Sequence, residues 1–116
     1  MEKDKDTIAL TEKNQLVLAE IMALGWFPEK MDVARFCLAY AVRAKVAEGA
    51  SRSETAETRW AAAMFDKSGE IRALLGALYP NCQTPVRLME HLVNEGFRMI
   101  ATRIKTDGLG PGDLMD

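Results

Sequence analysis

Hydrophobic and polar positions near the start of the chain follow two different periods, and together they predict a strand followed by two helices. Ile8 and Leu10 face one side of an extended segment over residues 7–11, with Ala9 between them. Thr11 is suited to cap the next helix because its hydroxyl can accept a backbone N–H bond. That helix has an apolar stripe at Leu16, Val17, Ile21 and Leu24 and a glycine stop, Gly25.

The second helix is predicted over residues 33–46, with Asp32 as its cap. Its positions are apolar nearly all round, and the exceptions are three basic residues, Arg35, Arg43 and Lys45. A helix of this composition is usually buried on most sides. We therefore expect it to be covered either by other helices or by a second copy of the chain.

The rest of the chain is predicted to form further helices. Residues 48–57 are small and polar and indicate a loop, whereas residues 58–65 show no clean period and fit either a helix or a strand. One apolar stripe predicts a helix between Ser68 and Pro80. That stripe consists of Ile71, Leu74, Leu75, Leu78 and Tyr79. Pro85 suits the first turn of the last and longest helix.

These elements predict a mainly α fold in a single domain over residues 1–106. A short strand and two helices form its N-terminal module, residues 7–46, and two or three further helices follow within residues 58–105. The glycine-rich residues 107–116 are expected to form a flexible tail. At 116 residues and 48% hydrophobic content, the chain can build one hydrophobic core.

The charge and the cysteine content of the chain indicate which partners it can bind and in which cellular compartment it is expected. The formal net charge is −2 and no basic run exceeds two residues, which argues against strong non-specific binding to nucleic acid. No apolar segment approaches the roughly 20 residues of a membrane span, and the charged start of the chain does not resemble a secretion signal. With Cys37 in an apolar helix and Cys82 in a loop, we expect a cytoplasmic protein with reduced thiols.

The titratable residues do not form a recognisable catalytic or metal-binding motif. A structural zinc site needs four Cys or His ligands, whereas the chain has one histidine and two cysteines. His91 and Glu95 lie one helical turn apart, which fits a surface ion pair better than half of a shared metal site. Cys82 has no adjacent cation that would activate its thiol. We therefore predict no catalytic residue, no metal and no cofactor.

The order of strand, helix, glycine turn and helix in residues 7–46 resembles the ribbon-helix-helix module, which pairs with itself and often lays its strands on DNA. This resemblance implies a homodimer. The self-association residues would be Ile8, Leu10, Phe36 and Tyr40. The DNA-contacting residues would be Lys5, Thr7, Ala9 and Thr11 on the ribbon, and Lys30 at a phosphate. The ribbon carries no arginine. The alternative is therefore that the strand does not contact DNA and serves only to pair two copies or to close the hydrophobic core.

A second resemblance, to the small proteins associated with bacterial DNA phosphorothioation systems, covers most of residues 16–104. In residues 27–39 a Phe-Pro turn and an aspartate precede a helix rich in Ala and Phe. Residues 64–66, 87–92 and 96–100 (Met-Phe-Asp, Arg-Leu-Met-Glu-His-Leu and Gly-Phe-Arg-Met-Ile) add to the similarity. It implies a non-enzymatic, DNA-associated accessory or regulatory protein of a DNA-modification or defence system. The alternative is a protein-interaction subunit that docks onto a larger DNA-handling enzyme without touching DNA.

Overall fold

The computed structural model describes residues 4–49 and 58–107, and this part of the chain is mainly helical with one short two-stranded sheet. The fold class predicted from the sequence is thereby confirmed. The elements in chain order are β1 (Thr7–Ala9), α1 (Glu12–Ala23), α2 (Lys30–Arg43), β2 (Arg59–Ala61), α3 (Ala62–Phe65), α4 (Glu70–Leu78) and α5 (Pro85–Asp107). Residues 50–57 of the predicted loop, and the predicted tail beyond residue 107, lie outside the described residues.

Three helix ends follow the local signals in the sequence. The Thr11 hydroxyl accepts a hydrogen bond from the Asn14 amide, 3.2 Å away, and so caps α1. Gly25 takes a φ of +75° just beyond the end of that helix, a conformation that residues with a Cβ rarely adopt. Pro85 is the first residue of α5. These three predictions are confirmed.

Helix α2 begins earlier than the sequence predicts. It begins at Lys30 rather than near residue 33, and Asp32 lies in its first turn instead of capping it. In that turn the carboxylate still interacts favourably with the helix dipole. One side of α2 packs on α5, while Arg35 and Ala39 on another side are exposed. Only Lys30, Arg35, Ala39 and Arg43 of its 14 residues are exposed. The expectation that α2 is covered on most sides is therefore confirmed, and helices of the same copy cover it.

The centre of the fold is the contact between α2 and α5. Gly96 of α5 lies directly against the backbone of Cys37 of α2, and a Cβ added to Gly96 would overlap the Cys37 carbonyl group. The missing side chain therefore lets the two helices approach closely. Burial raises the pKa of the Cys37 thiol, which stays protonated. Buried side chains at this centre include Val33, Leu38, Leu92, Val93 and Phe97.

Helix α1 packs on this centre through a stripe that differs from the predicted one. Val17 and Ile21 are buried as expected, together with Leu18. Leu16 and Leu24 lie on the outside, with 67% and 47% of their surface exposed. The helix contains two overlapping apolar stripes, and the positions of α2 and α5 decide which of them is covered.

Residues 58–65, which the sequence pattern leaves open between helix and strand, contain both. Arg59–Ala61 is β2, and the single turn α3 follows at once. β2 pairs antiparallel with β1, so that Ile8 lies opposite Trp60. The first strand of the protein therefore pairs with a strand of its own copy.

Candidate functional site

Side chains of α5 cover the edge of β1 that does not pair with β2. Alternate residues of a strand direct their backbone groups to opposite edges. The Leu10 amide points to the β2 side, where it donates to the Thr58 carbonyl, so the backbone of Ala9 faces α5. The Ala9 amide donates to Glu90 Oε2 at 2.9 Å, and Asn94 Nδ2 donates to the Ala9 carbonyl at 3.0 Å. At Ala9 the strand therefore has no free edge.

The same two α5 side chains, Glu90 and Asn94, also bind residues that precede and follow β1 in the chain. The Thr11 amide donates to Asn94 Oδ1 at 3.0 Å, and Asn14 Nδ2 donates to the same oxygen at 2.9 Å. The Lys5 ammonium group pairs with the Glu90 carboxylate. Both α5 side chains are almost fully buried. Each of these polar contacts links a residue between Lys5 and Asn14 to α5.

Glu90 and Asn94 are not predicted from the sequence as site residues, because polar residues on a long amphipathic helix usually face solvent. A signal for their burial exists. Glu90 precedes Val93 by three residues and Phe97 by seven, so it interrupts a buried apolar stripe. A polar residue at such a position indicates a buried hydrogen-bonding partner.

The predicted DNA-contacting residues lie mostly around β1, where other contacts occupy them. Ala9 is buried, Lys5 is paired with a buried carboxylate, and Thr11 caps α1. Thr7 is half-buried, and Lys30 is exposed at the first position of α2. The strand has no free edge at Ala9, and the assignment of these five residues to DNA contact stays a prediction. That the protein binds DNA stays a prediction.

The four predicted self-association residues separate into two pairs. Ile8 and Leu10 are fully buried in the core of one copy, and their role in self-association stays a prediction. Phe36 and Tyr40 are half-buried neighbours on α2, with ring centroids 6.5 Å apart. The Tyr40 hydroxyl accepts a hydrogen bond from Arg103 of α5 at 3.0 Å. A role of Phe36 and Tyr40 in self-association stays a prediction.

The residues considered for catalysis or metal binding make structural contacts. His91 Nε2 lies 3.2 Å from the Ala47 carbonyl oxygen. Glu95 pairs with Arg98 at 2.7 Å rather than with His91. Cys82 is a half-buried free cysteine. In the part of the chain that the structure describes, no three His, Cys, Asp or Glu side chains lie close enough together to hold a metal ion.

Helix α4 is fastened to the protein at both ends. At its start the Asp66 carboxylate accepts hydrogen bonds from the amides of Ile71 and Arg72 at 2.9 and 3.0 Å, where the helix dipole favours a negative charge. At its end the Tyr79 hydroxyl donates to the Val46 carbonyl at 2.6 Å. Between these ends α4 has a single buried residue, Leu75.

The outer side of α4 is apolar. Leu74 and Leu78 lie one turn apart, with 48% and 50% of their surface exposed. Ala73 and Ala77 are exposed beside them. We call these four residues the α4 face. Leu74 and Leu78 belong to the same apolar stripe of the sequence as Leu75, but the fold covers only the Leu75 side of the helix.

A groove of about 390 Å³ adjoins the end of the α4 face. Its apolar lining comes from Val42, Val46 and Tyr79. Lys45 and Glu48 add one charge of each sign. Burial and the nearby Glu48 carboxylate both raise the pKa of Tyr79. An exposed apolar surface bordered by charged groups of both signs is typical of a protein–protein contact.

No family model, curated protein or solved structure matches this chain. None of the described helices is both long enough and apolar enough to cross a membrane. The α4 face, with two leucines and two alanines exposed on one side, departs from the composition of an ordinary solvent-exposed helix.

Proposed function

We propose that this protein is a non-enzymatic interaction subunit that docks through the α4 face onto a larger protein of a DNA-handling assembly. The observation that carries the proposal is the exposure of Leu74 and Leu78 on a helix with a single buried residue. Soluble proteins keep contiguous exposed apolar surface small unless it serves a contact. The DNA-handling setting comes from the sequence resemblance, and the docking surface comes from the geometry.

Removal of the α4 face from water provides the driving force. Complete burial of one leucine side chain contributes roughly 1.5–3 kcal/mol, and about half of the surface of Leu74 and of Leu78 is still exposed. Together the two side chains would contribute about 2 kcal/mol on docking. Ala73 and Ala77 keep the surface between them low, so the backbone of a partner helix can approach closely.

The partner surface that fits is the apolar side of a helix flanked by charges of both signs. Its charged groups would face Lys45 and Glu48 at the groove, and such pairs fix orientation more than they add affinity. Direct contact with duplex DNA is less well supported. The residues predicted to touch DNA are largely engaged around β1, and the net charge of −2 does not attract phosphate.

Photo-crosslinking at single positions in native cells tests the docking. One variant carries a photoreactive residue at Leu78, and a control variant carries it at Gln83, which is exposed but lies outside the α4 face. We expect a discrete crosslinked species from the Leu78 position and none from the Gln83 position, because the photoreactive group bonds only to atoms in contact with it. Equal crosslinking from both positions would contradict the proposal.

The partner found in this way is then titrated with the purified chain. The double variant Leu74→Ser/Leu78→Ser should bind at least about tenfold more weakly, which corresponds to about 1.4 kcal/mol. Its free energy of unfolding should fall by about 1 kcal/mol per site, since about half of each leucine is buried in the free protein. Unchanged affinity would reject the α4 face as the docking surface. A gel shift of duplex DNA by the purified chain alone would favour direct DNA contact instead.

A further inference from the structure

Helix α1 carries a second exposed apolar surface. Leu16 is the most exposed of the large hydrophobic side chains in the described residues, at 67%. Ala19 and Ala23 follow at spacings of three and four residues and are exposed as well, so all three lie on one side of the helix. We call these residues the α1 face. It belongs to a different helix from the α4 face and does not depend on the proposed docking function.

Lys13 and Glu20 line one flank of the α1 face. They are seven residues apart, which is two helical turns, and both lie within about 60° of Leu16 around the helix axis, on the same side of it. Both are exposed, and within the described residues neither takes part in a salt bridge. The flank therefore has a positive charge towards the start of α1 and a negative charge towards its end.

We infer that the α1 face is a contact between two copies of this chain, packed antiparallel. A two-fold axis beside Leu16 brings the Leu16 side chains of the two copies together, and each packs over Ala19 of the other copy. The same axis places Lys13 of each copy opposite Glu20 of the other, so two ion pairs form. A surface whose charges are complementary to themselves under a two-fold rotation fits a second copy better than an unrelated protein.

The contact is small, so the two copies should associate reversibly. Helix α1 has 12 residues and is about 18 Å long, and one face of it buries far less than the roughly 800 Å² per partner of a standard interface. Exposed ion pairs contribute little free energy, so burial of Leu16 drives the association and the charges set its direction. The expected behaviour is a concentration-dependent equilibrium between monomer and dimer.

Sedimentation equilibrium of the full chain over a range of concentrations measures this association. A single charge reversal, Lys13→Glu or Glu20→Lys, places like charges opposite each other and should weaken dimerisation about tenfold. The double reversal Lys13→Glu/Glu20→Lys re-forms both ion pairs and should restore the wild-type association. Each single reversal improves the interaction of α1 with its helix dipole, so loss of the fold does not explain a weaker dimer.

Two further variants separate this contact from the α4 face. Leu16→Gln removes the apolar centre of the contact and should weaken dimerisation about tenfold. Leu74→Ser/Leu78→Ser, which alters only the α4 face, should leave dimerisation unchanged, so either proposal can fail alone. A wild-type chain that stays monomeric at its highest soluble concentration would overturn the inference. So would a double reversal that associates as weakly as the single ones.

Discussion

Helices α4 and α5 depart from the usual distribution of side chains in opposite directions. α5 places the polar Glu90 and Asn94 inside the protein, whereas α4 places the apolar Leu74 and Leu78 outside it. The two polar groups of α5 have hydrogen-bonding partners in the chain, because an unpaired buried group would cost about 1–3 kcal/mol. Among the described residues, Glu90 and Asn94 are almost fully covered, whereas about half of the surface of Leu74 and Leu78 is exposed.

In α5 the unusual residues are satisfied by contacts within the fold, whereas in α4 they remain available for contacts with a partner. α5 packs against α1, α2 and β1, so a substitution on its buried side changes stability. α4 is fully covered only at Leu75, so a substitution on its outer side should change binding and cost less stability than one on the buried side of α5. Substitutions matched between the two regions can therefore confirm or reject this distinction.

The largest change in the free energy of unfolding is expected for Gly96→Ala on α5, and Gly76→Ala on α4 is the matched substitution. In Gly96→Ala the new Cβ would overlap the Cys37 carbonyl, and we expect the free energy of unfolding to fall by about 3 kcal/mol. In Gly76→Ala on α4 the Cβ meets nothing within 4 Å, and the better helix propensity of alanine should raise stability by roughly 0.5–1 kcal/mol. Urea denaturation measures both changes. Changes of equal sign and size would show that α4 is as enclosed as α5.

A somewhat smaller loss is expected from Asn94→Ala, which removes partners from the covered edge of β1. The Ala9 carbonyl and the Thr11 amide lose the hydrogen bonds that Asn94 supplies, so the free energy of unfolding should fall by about 2–3 kcal/mol. Gln83→Ala, at an exposed amide, is the control and should change it by less than about 0.5 kcal/mol. If both variants unfold at the wild-type urea concentration, Asn94 does not seal the strand.

The smallest effect concerns the bond that fastens the end of α4. Because burial and Glu48 raise the pKa of Tyr79, the folded protein holds the phenol proton more tightly than the unfolded chain does. The resulting stability is fully present below about pH 10, the usual pKa of tyrosine, and is lost as the pH rises further. Tyr79→Phe should cost about 1 kcal/mol at neutral pH, since the phenol donates to the Val46 carbonyl.

The pH dependence of that difference is the measurement that checks the Tyr79 prediction. Urea denaturation of both proteins at increasing pH should show the wild type losing its advantage over Tyr79→Phe above about pH 10. An advantage that is the same at neutral and at strongly alkaline pH would mean that the hydroxyl does not hold α4 in place.

The helix ends are predictable from the sequence because they depend on adjacent residues. Thr11, Gly25 and Pro85 each act within one turn of the chain, and the structure confirms all three. The start of α2 is harder to predict, because Asp32 is a good cap by residue type, yet the chain already turns helical at Lys30. A short strand such as β2 has too few residues for a period to be recognised.

The exposed surfaces are not predictable from the sequence, because they depend on where distant elements lie. Leu16 and Leu18 are equally apolar positions of α1, but only Leu18 faces the core. Leu74 and Leu75 are neighbours on α4, and only Leu75 is covered. The candidate docking surface therefore becomes visible only once the packing of α5 is known.

A nascent chain cannot complete the contacts of β1 until Glu90 and Asn94 of α5 have left the ribosome. Ile8 and Leu10 emerge long before β2, which supplies one edge of the strand, and Glu90, which supplies the other, follows Ala9 by 81 residues. Until then two of the most apolar positions of the strand have nothing to pack against, and they are open to aggregation or to chaperones. We therefore expect the core around β1 to form only after α5 has been synthesised.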